Sequence, residues 1–293
     1  MIPAFDIDAM RMVIAGMDLG SFARAAVQLG RSQSAVSMQL KKLEYQAGTQ
    51  LFTRKGRGLV PTAAGEAFVA YARRIVALND EAALAMGVAT TAASVRLGLP
   101  QDFFEDVMPA TLKTFVKAHD KVHVDVRAGE NHTIADEVRS GRLDAAIAFF
   151  KPGSSSEGET LCSLPIRWLV HSDWIEESRG DPLPLVLFNH PCLFRQAALA
   201  ALEKEGIRWR AALTTPSLPG VWAGLRSGLG IAARAEHGVP ADMVILGKAE
   251  GLPELPEIEV RLLRAPNISS YAEALSETLR KETLKRLALK DEH

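Results

Sequence analysis

The sequence predicts an α/β protein in three parts: a short N-terminal unit of helices with a small β-turn, one long helix, and a larger C-terminal region of two α/β lobes. Residues 21–48 contain two short helical patterns that are separated by a glycine. Residues 62–92 keep a heptad repeat. Residues 93–293 alternate between strand and helix patterns, as expected for a parallel sheet covered by helices. The chain has 293 residues, which is enough for two or three domains.

The N-terminal unit, residues 1–61, is predicted to contain a helix-turn-helix. Ser21 suits the N-cap of a first helix, and Gly30 suits its left-handed end. Ser32 suits the cap of a second helix with one apolar stripe, which Gly48 ends. The other face of the second helix carries short polar side chains and Met38, which suit a close approach to base edges. An ordinary helical hairpin with a solvated polar face explains the same pattern.

The distribution of charge favours binding to nucleic acid. Residues 21–60 contain seven basic residues and one acidic residue, although the net charge of the whole chain is −1. A local excess of positive charge is typical of a phosphate-binding surface. Within this segment, residues 54–58 (Arg-Lys-Gly-Arg-Gly) predict a tight basic β-turn, the wing. Such a wing contacts the DNA backbone or enters the minor groove.

Residues 21–68 resemble the winged helix-turn-helix of LysR-type transcriptional regulators. The resemblance rests on residues at fixed spacing: Ser21-Phe22, Ala25-Ala26, Ser32-Gln33, Ala35-Val36-Ser37, Leu43-Glu44, Leu51-Phe52-Thr53-Arg54, Thr62 and Gly65. Residues 191–195 and 227–230 are most similar to the branch that contains the LrhA and HexA regulators. The resemblance implies a sequence-specific regulator that binds promoter DNA as a dimer or tetramer and responds to a small-molecule effector.

The resemblance also implies which residues contact DNA. Gln33, Ser34 and Ser37 fall where family members face the major groove, and Arg57 falls where the wing reaches the minor groove or the backbone. Met38 stands where the family often has arginine, and it favours an apolar contact such as a thymine methyl group. Packing of Met38 on the neighbouring helix is the alternative. The predicted DNA-binding residues are Ser21, Arg31, Ser32, Gln33, Ser34, Ser37, Met38, Lys41, Arg54 and Arg57.

Residues 62–92 are predicted to form one long helix that pairs with a second copy of the chain. Apolar or small side chains recur at alternating intervals of three and four residues: Phe68, Tyr71, Ile75, Leu78, Ala82, Ala85 and Ala89. A helix of about 30 residues spans roughly 45 Å, which is too long for a small domain to cover. Packing of this helix on its own domain is the alternative. In the family that the sequence resembles, this helix is the usual dimerisation linker.

The C-terminal region, residues 93–293, is predicted to form two lobes. Lobe I comprises residues 93–164 and 266–293, and lobe II comprises residues 165–265, with crossovers near Leu164-Pro165 and Arg264-Ala265-Pro266. Strand patterns occupy residues 95–99, 122–127, 143–149, 166–171, 184–188, 208–214, 230–233 and 258–263. Helix patterns occupy residues 108–119, 131–140, 193–205, 218–227 and 270–289. The order resembles the sensor of the same family, which is similar to periplasmic binding proteins.

The effector is predicted to bind between the two lobes, where strand ends meet helix N-termini. Helix N-termini attract anions, and Arg195 would add a fixed positive charge. Helix capping is the better single explanation for Asn131 and Ser217, and core packing is the default explanation for Phe149. A solvated or structural ion pair explains Arg195 as well as a ligand contact does. The predicted effector-binding residues are Pro100, Gln101, Asp102, Phe103, Asn131, His132, Phe149, Cys192, Leu193, Arg195, Ser217 and Leu218.

Other classes of protein fit the sequence less well. The first residues show no signal-peptide pattern, and no stretch approaches the roughly 18 apolar residues of a membrane span, so a cytoplasmic protein without a membrane partner is predicted. The two cysteines and seven histidines lack metal-ligand spacing, so no metal or cofactor is expected and both thiols are predicted to be reduced. No nucleotide-binding or hydrolase motif is complete, which argues against an enzyme. The alternative is a two-lobed small-molecule-binding protein or an α/β enzyme without DNA regulation.

Overall fold

The N-terminal unit consists of three helices and a two-stranded hairpin, followed by a long fourth helix. The structure is a computed structural model, and it describes residues 4–55, 58–86, 94–128, 131–174, 181–266 and 268–288. The elements are α1 (Ile7–Asp18), α2 (Phe22–Gln28), α3 (Gln33–Ala47), β1 (Phe52–Lys55), β2 (Gly58–Pro61) and α4 (Ala63–Ala85). The sequence analysis did not predict α1, which buries Met12 and Val13 in the core of this unit.

Local capping forms the predicted helix-turn-helix. Ser21 Oγ accepts a hydrogen bond of 3.3 Å from the Arg24 N–H, and Ser32 Oγ accepts one of 3.2 Å from the Ala35 N–H. Gly48 ends α3 in the left-handed conformation with φ +66°, which costs glycine little because it has no Cβ. The apolar stripe of α3 lies in the core of the unit. The predicted helix-turn-helix is therefore confirmed.

Helix α4 has one face on α1 and a second face exposed to solvent. Val69, Ala72 and Val76 are buried on the first face, and Arg73 is paired there with Asp18. On the second face, three side chains of the predicted seam are exposed, Tyr71 by 60%, Ile75 by 40% and Leu78 by 66%. The first seam residue, Phe68, instead packs in the core of the N-terminal unit, with its ring centroid 5.2 Å from that of Phe5. The described helix ends at Ala85, so the predicted end at Ala92 and the seam position Ala89 lie outside the described residues.

The C-terminal region alternates strands and helices as predicted, with one additional strand, β10. The elements are β3 (Ser94–Leu99), α5 (Val107–Ala118), β4 (His123–Ala128), α6 (Asn131–Arg139), β5 (Ala145–Phe150), β6 (Glu159–His171), β7 (Leu183–Phe188), α7 (Leu193–Lys204), β8 (Trp209–Thr215), α8 (Leu218–Arg226), β9 (Ala232–Ala235), β10 (Met243–Leu246), β11 (Glu257–Arg264) and α9 (Ser270–Ala288). A 3₁₀ turn, Gln101–Phe103, follows β3.

Seven of these strands form one sheet that runs through both lobes. Its order is β10-β6-β11-β5-β3-β4, and β9 also pairs with β6. Strand β3 is parallel to β4 and β5, which confirms the predicted β-α-β-α-β unit. Strand β6 is the link between the lobes, because residues 159–165 pair with β11 and residues 166–171 pair with β9 or β10. Strands β7 and β8 form a separate parallel pair.

The assignment of β11 to lobe II was wrong. Strand β11 pairs antiparallel with β5 from Glu259–Phe150 to Arg264–Ala145, so it lies in the sheet of lobe I. The second crossover therefore precedes β11, where the Ile166 N–H donates a 3.2 Å hydrogen bond to the Pro256 carbonyl oxygen. An apolar strand pattern predicts that a segment is a strand, but it does not predict which strand lies beside it in the sheet. Strand pairing depends on residues that are distant in the sequence.

Candidate functional site

The first candidate site is the exposed face of α3 together with the hairpin β1–β2. The side chains of Gln33, Ser34, Ser37 and Lys41 are exposed on this face. Met38 is 69% exposed, so it does not pack on the neighbouring helix. Strand β1 carries Arg54 as an exposed side chain, and Arg57 lies outside the described residues.

Four of the predicted DNA-binding residues have structural partners of their own. Ser21 and Ser32 cap α2 and α3, and the Ser32 hydroxyl also lies 2.9 Å from the Ser34 hydroxyl. Arg31 lies 3.7 Å from the carboxylate of Asp8 in an exposed ion pair. Exposed ion pairs contribute little to stability, so Arg31 is available to a phosphate at low cost.

Glu44 has a structural role that the sequence analysis missed. Its Oε1 accepts hydrogen bonds of 2.9 Å from the Leu51 N–H and 3.0 Å from the Phe52 N–H. These bonds fix the start of β1 against the end of α3. Glu44 is the only acidic residue between positions 21 and 60, and its carboxylate is occupied by backbone donors. Among the described residues, no ion pair joins this carboxylate to a basic side chain of the segment, so Glu44 does not neutralise those side chains by pairing.

The second candidate site is a cavity of about 80 Å³ between the two lobes. Seven predicted effector-binding residues line it: Pro100, Gln101, Asp102, Asn131, Phe149, Cys192 and Leu193. Eight residues outside the predicted set of effector-binding residues also line it: Ala128, Phe188, Asn189, His190, Pro191, Phe194, Pro216 and Arg234. Most of the lining is apolar, and the charges of Asp102 and Arg234 face the same space. The cavity thus combines a small apolar volume with one positive and one negative group.

Four of the predicted effector-binding side chains do not line this cavity. Phe103 is buried in the core, with its ring centroid 5.6 Å from that of Phe149. Arg195 donates a 3.3 Å hydrogen bond to the Phe188 carbonyl oxygen. Ser217 caps α8 by accepting from the Gly220 N–H at 3.2 Å, as the capping alternative predicted, and Leu218 is buried. The side chain of His132 lies outside the described residues.

Asn131 does not cap α6 with its side chain, contrary to the capping alternative. Asn131 is the first residue of α6, its Nδ2 donates to the Phe149 carbonyl oxygen at 2.6 Å, and its Oδ1 accepts from the Phe149 N–H at 2.5 Å. This pair of bonds attaches the start of α6 to the end of β5. Both ends of the Asn131 amide are occupied, so this side chain forms a fixed wall of the cavity.

An ion pair between Asp102 and Arg234 joins the two lobes at the cavity. Arg234 Nη2 lies 2.6 Å from Asp102 Oδ1, and the two side chains are 6% and 4% exposed. The Arg234 guanidinium also lies over the Phe194 ring, with its carbon 4.1 Å from the ring centroid. Asp102 follows β3 in lobe I and Arg234 lies on β9 in lobe II. The one signal for Arg234 in the sequence was a charge within an otherwise all-alanine strand, residues 232–235.

His237 makes a second contact between the lobes. This side chain is fully buried, its Nε2 is 3.4 Å from Asp106 Oδ2, and its ring centroid is 4.8 Å from that of Phe103. Burial raises the pKa of Asp106, but the contact with His237, the hydrogen bond from the Val107 N–H and the charge of Arg286 together lower that pKa below its ordinary value. Asp106 Oδ1 also accepts from the Val107 N–H at 2.6 Å, at the start of α5.

The described residues contain no cluster of three or more histidine, cysteine or acidic side chains suited to a metal ion. Across the described part of the chain, no helix is long and apolar enough to cross a membrane. Cys162 and Cys192 are both thiols, and neither forms a disulfide.

The fold and the two sites define a class of protein: a DNA-binding regulator with a separate ligand-sensing module. Comparisons with known proteins identify the family. Residues 7–66 match the family described as bacterial regulatory helix-turn-helix protein, lysR family. Residues 89–283 match the family described as LysR substrate binding domain. The chain belongs to the LysR family of transcriptional regulators.

Individual relatives agree with this assignment. The chain is 31% identical to the HTH-type transcriptional regulator PecT of Dickeya dadantii, over 89% of this chain and 82% of PecT. It is also 31% identical to the regulator DgdR of Burkholderia cepacia, over 88% of this chain and 87% of DgdR. Among solved structures, ArgP from Mycobacterium tuberculosis has a TM-score of 0.70 at 20% identity, covering 94% of this chain and 96% of ArgP. Full-length LysG from Corynebacterium glutamicum, solved with bound effector Arg, has a TM-score of 0.68 at 19% identity, covering 96% of this chain and 98% of LysG.

Proposed function

We propose that this regulator reads promoter DNA with the exposed face of α3 and positions itself with the wing. The exposed side chains of Gln33, Ser34, Ser37 and Met38 are short or unbranched and can reach base edges in the major groove. Arg31, Lys41, Arg54 and, from the sequence, Arg57 neutralise phosphates. The observation that carries this proposal is the segregation of charge, since the only acid in this segment is occupied by the backbone of β1.

We propose that a small molecule binds between the lobes and changes the affinity of the protein for DNA. The support is the cavity of about 80 Å³, which is closed by contacts from both lobes. The lobes can adopt a more open and a more closed arrangement. A ligand that binds these two conformations with different affinities shifts the balance between them, and a ligand that binds both equally does not. The angle between lobes then sets the spacing of the two DNA-binding units in an oligomer.

We propose that the exposed seam of α4 pairs with the same helix of a second chain. Tyr71, Ile75 and Leu78 form an apolar stripe whose opposite face is already covered by α1. An isologous contact along this stripe presents two α3 helices to one side of DNA and requires a site with approximate two-fold symmetry. Further association of the sensor lobes would convert the dimer to a tetramer.

We also propose that the chain acts in the cytoplasm and has no catalytic activity. The support for both statements is the assignment to a family of bacterial regulators. The DNA that such a regulator reads lies in the cytoplasm. The cleft of its sensor binds a ligand without converting it into a product.

Fluorescence anisotropy of the purified protein on its own upstream DNA tests the proposal. A scrambled duplex of the same length and composition is the control, and both are measured across a salt series. Tight and selective binding with a steep salt dependence is the expected result. Equal affinity for both duplexes would contradict recognition of this upstream site, and genome-wide mapping of binding sites would then show whether any selective site exists.

A further inference from the structure

The ion pair between Asp102 and Arg234 constrains the charge of whatever ligand enters the cleft. Both side chains are almost fully buried, and both line the cavity. A buried charge is costly unless a partner of opposite charge remains beside it. A ligand that separates the lobes also separates Asp102 from Arg234, so it must supply a new partner of opposite charge to each of them. A purely anionic ligand would satisfy Arg234 and leave Asp102 buried without a partner, and a purely cationic ligand would do the reverse.

Arg234 retains a free donor beside the cavity. Its Nε is buried and has no hydrogen-bond partner among the residues that the structure describes. Its Nη2 is engaged by Asp102, and Phe194 covers one face of the guanidinium. The group is therefore held in place with part of its bonding capacity unused, which suits a carboxylate that needs two donors.

The start of α7 provides additional donors at the same place. Cys192, the N-cap residue of this 12-residue helix, makes no capping hydrogen bond with its side chain. Cys192, Leu193 and Phe194 line the cavity together with Arg234. The first N–H groups of a helix carry partial positive charge and attract anions. By contrast, the start of α8 is already occupied by the side chains of Ser217 and Gln101.

We propose that the effector is a small zwitterion, an α-amino acid with a short uncharged side chain, which inserts between Asp102 and Arg234. The ammonium group of the ligand pairs with Asp102, and its carboxylate pairs with Arg234 and the first N–H groups of α7. Each buried charge thus exchanges one partner for another. The cavity of about 80 Å³ has room for only a few water-sized groups, so the side chain of the ligand is limited to a few atoms.

This inference rests on the proposed role of the cleft, and isothermal titration calorimetry on the full-length protein tests it. The probes are glycine, L-alanine, L-serine and L-valine, and the matched probes with a single charge are propionate and ethylamine. At least one amino acid is expected to bind with one site per chain, and both single-charge probes to bind at least 30-fold more weakly. Propionate binding as tightly as L-alanine would overturn the proposal, and so would the absence of binding by all four amino acids.

A paired variant assigns the binding to the ion pair. Asp102→Leu combined with Arg234→Met replaces both buried charges by apolar side chains of similar size, a change that buried ion pairs often tolerate. Amino-acid affinity is expected to fall at least 30-fold while selective DNA binding persists. The control is Asp242→Leu with Arg226→Met, which removes an exposed ion pair of lobe II with a 2.6 Å contact between Nε and Oδ2. Full affinity in the Asp102/Arg234 variant would overturn the proposal.

The two readouts separate this proposal from the proposed function. Selective DNA binding without ligand reports on α3 and the wing, whereas calorimetry reports on the cleft. If propionate binds and the paired variant loses that binding, the cleft is an effector site and the zwitterion proposal fails. If an amino acid binds equally well to the wild type and the paired variant, the assignment of the cleft itself fails.

Discussion

Gln101 Oε1 accepts a 2.7 Å hydrogen bond from the backbone N–H of Leu218, which is 117 positions later in the chain and in the other lobe. The first N–H groups of a helix lack intrahelical acceptors. At the start of α8, Ser217 satisfies the Gly220 N–H and Gln101 satisfies the Leu218 N–H. Closure of the cleft is therefore coupled to capping of α8, because separation of the lobes returns the Leu218 N–H to solvent.

Replacement of Gln101 by alanine is expected to loosen the first turn of α8. Loss of one hydrogen bond of this kind costs about 1 kcal/mol in the free energy of unfolding. Amide hydrogen exchange at Leu218 should become several-fold faster, because the donor then lacks its acceptor in the closed state. Gln196→Ala, on the exposed side of α7, is the control and should leave this exchange rate unchanged. Unchanged exchange in Gln101→Ala would contradict the coupling.

Replacement of Asp106 by asparagine is expected to destabilise the protein more at pH 7 than in acid. The pKa of Asp106 is lowered in the folded state, so its charge contributes stability above the ordinary pKa of an aspartate, near 3.8. That contribution is lost as the pH falls through the lowered pKa. Asparagine caps a helix about as well as aspartate, so the difference isolates the charge that faces His237.

Urea unfolding at pH 7 and pH 3 measures this dependence. A loss on the order of 1 kcal/mol is expected at pH 7, because a lowered pKa means that the folded state stabilises the charged carboxylate. A smaller loss is expected at pH 3, which lies below the ordinary pKa of an aspartate, so part of that contribution is already lost. The control is Asp173→Asn on the exposed surface, where the contact with His171 is 3.8 Å long. The same loss at both pH values would show that packing rather than charge is responsible.

The sequence was most informative where structure depends on neighbouring residues. The caps of α2 and α3 at Ser21 and Ser32 and the left-handed turn at Gly48 follow from residues within a few positions. The fold of lobe I was predictable up to β5 for the same reason. The position of β11 in the sheet was not predictable. Strand β11 pairs with β5 and the first half of β6, and this pairing depends on contacts between residues that are far apart in the sequence.

The effector cleft was only partly predictable from strand and helix ends. That rule gave residues such as Pro100 and Leu193, which line the cavity, and also Phe103, whose side chain points into the core. It could not give Arg234, because burial of a charge on β9 depends on Asp102, 132 positions earlier in the chain. His237 was missed for a related reason, since its surroundings come from Asp106 and Phe103 in the other lobe.

Replacement of Leu78 by aspartate is expected to convert the oligomer to smaller species. Leu78 is exposed in the single chain and lies on the proposed pairing stripe of α4, so a charge there would be buried only in the dimer. Sedimentation velocity at micromolar concentration should show a lower sedimentation coefficient. Asn79→Asp adds a similar charge one position away on the same helix, and its sedimentation should match the wild type. An unchanged oligomer in Leu78→Asp would exclude this stripe as the interface.

Replacement of Arg54 by alanine is expected to weaken DNA binding similarly for all sequences. Arg54 is exposed on β1 at the base of the wing, where a phosphate contact is expected. Loss of one such contact should reduce the slope of log affinity against log salt by about 0.9. Arg57→Ala is expected to act in the same way. Lys248→Ala, an exposed residue of lobe II that pairs with Glu254, is the control. An unchanged slope would remove that arginine from the DNA interface.

Replacement of Ser37 by glutamate is expected to abolish selective DNA binding. Ser37 is exposed in the middle of α3, one helical turn from Gln33 and Lys41, so the new carboxylate would face base edges and phosphates and repel both. Ser156→Glu adds the same charge on an exposed loop between β5 and β6 and should retain the affinity of the wild type. Both variants should unfold at the same temperature, because neither position is buried. If the Ser37→Glu variant still distinguished the upstream duplex from the scrambled one, α3 would not be the helix that reads the DNA.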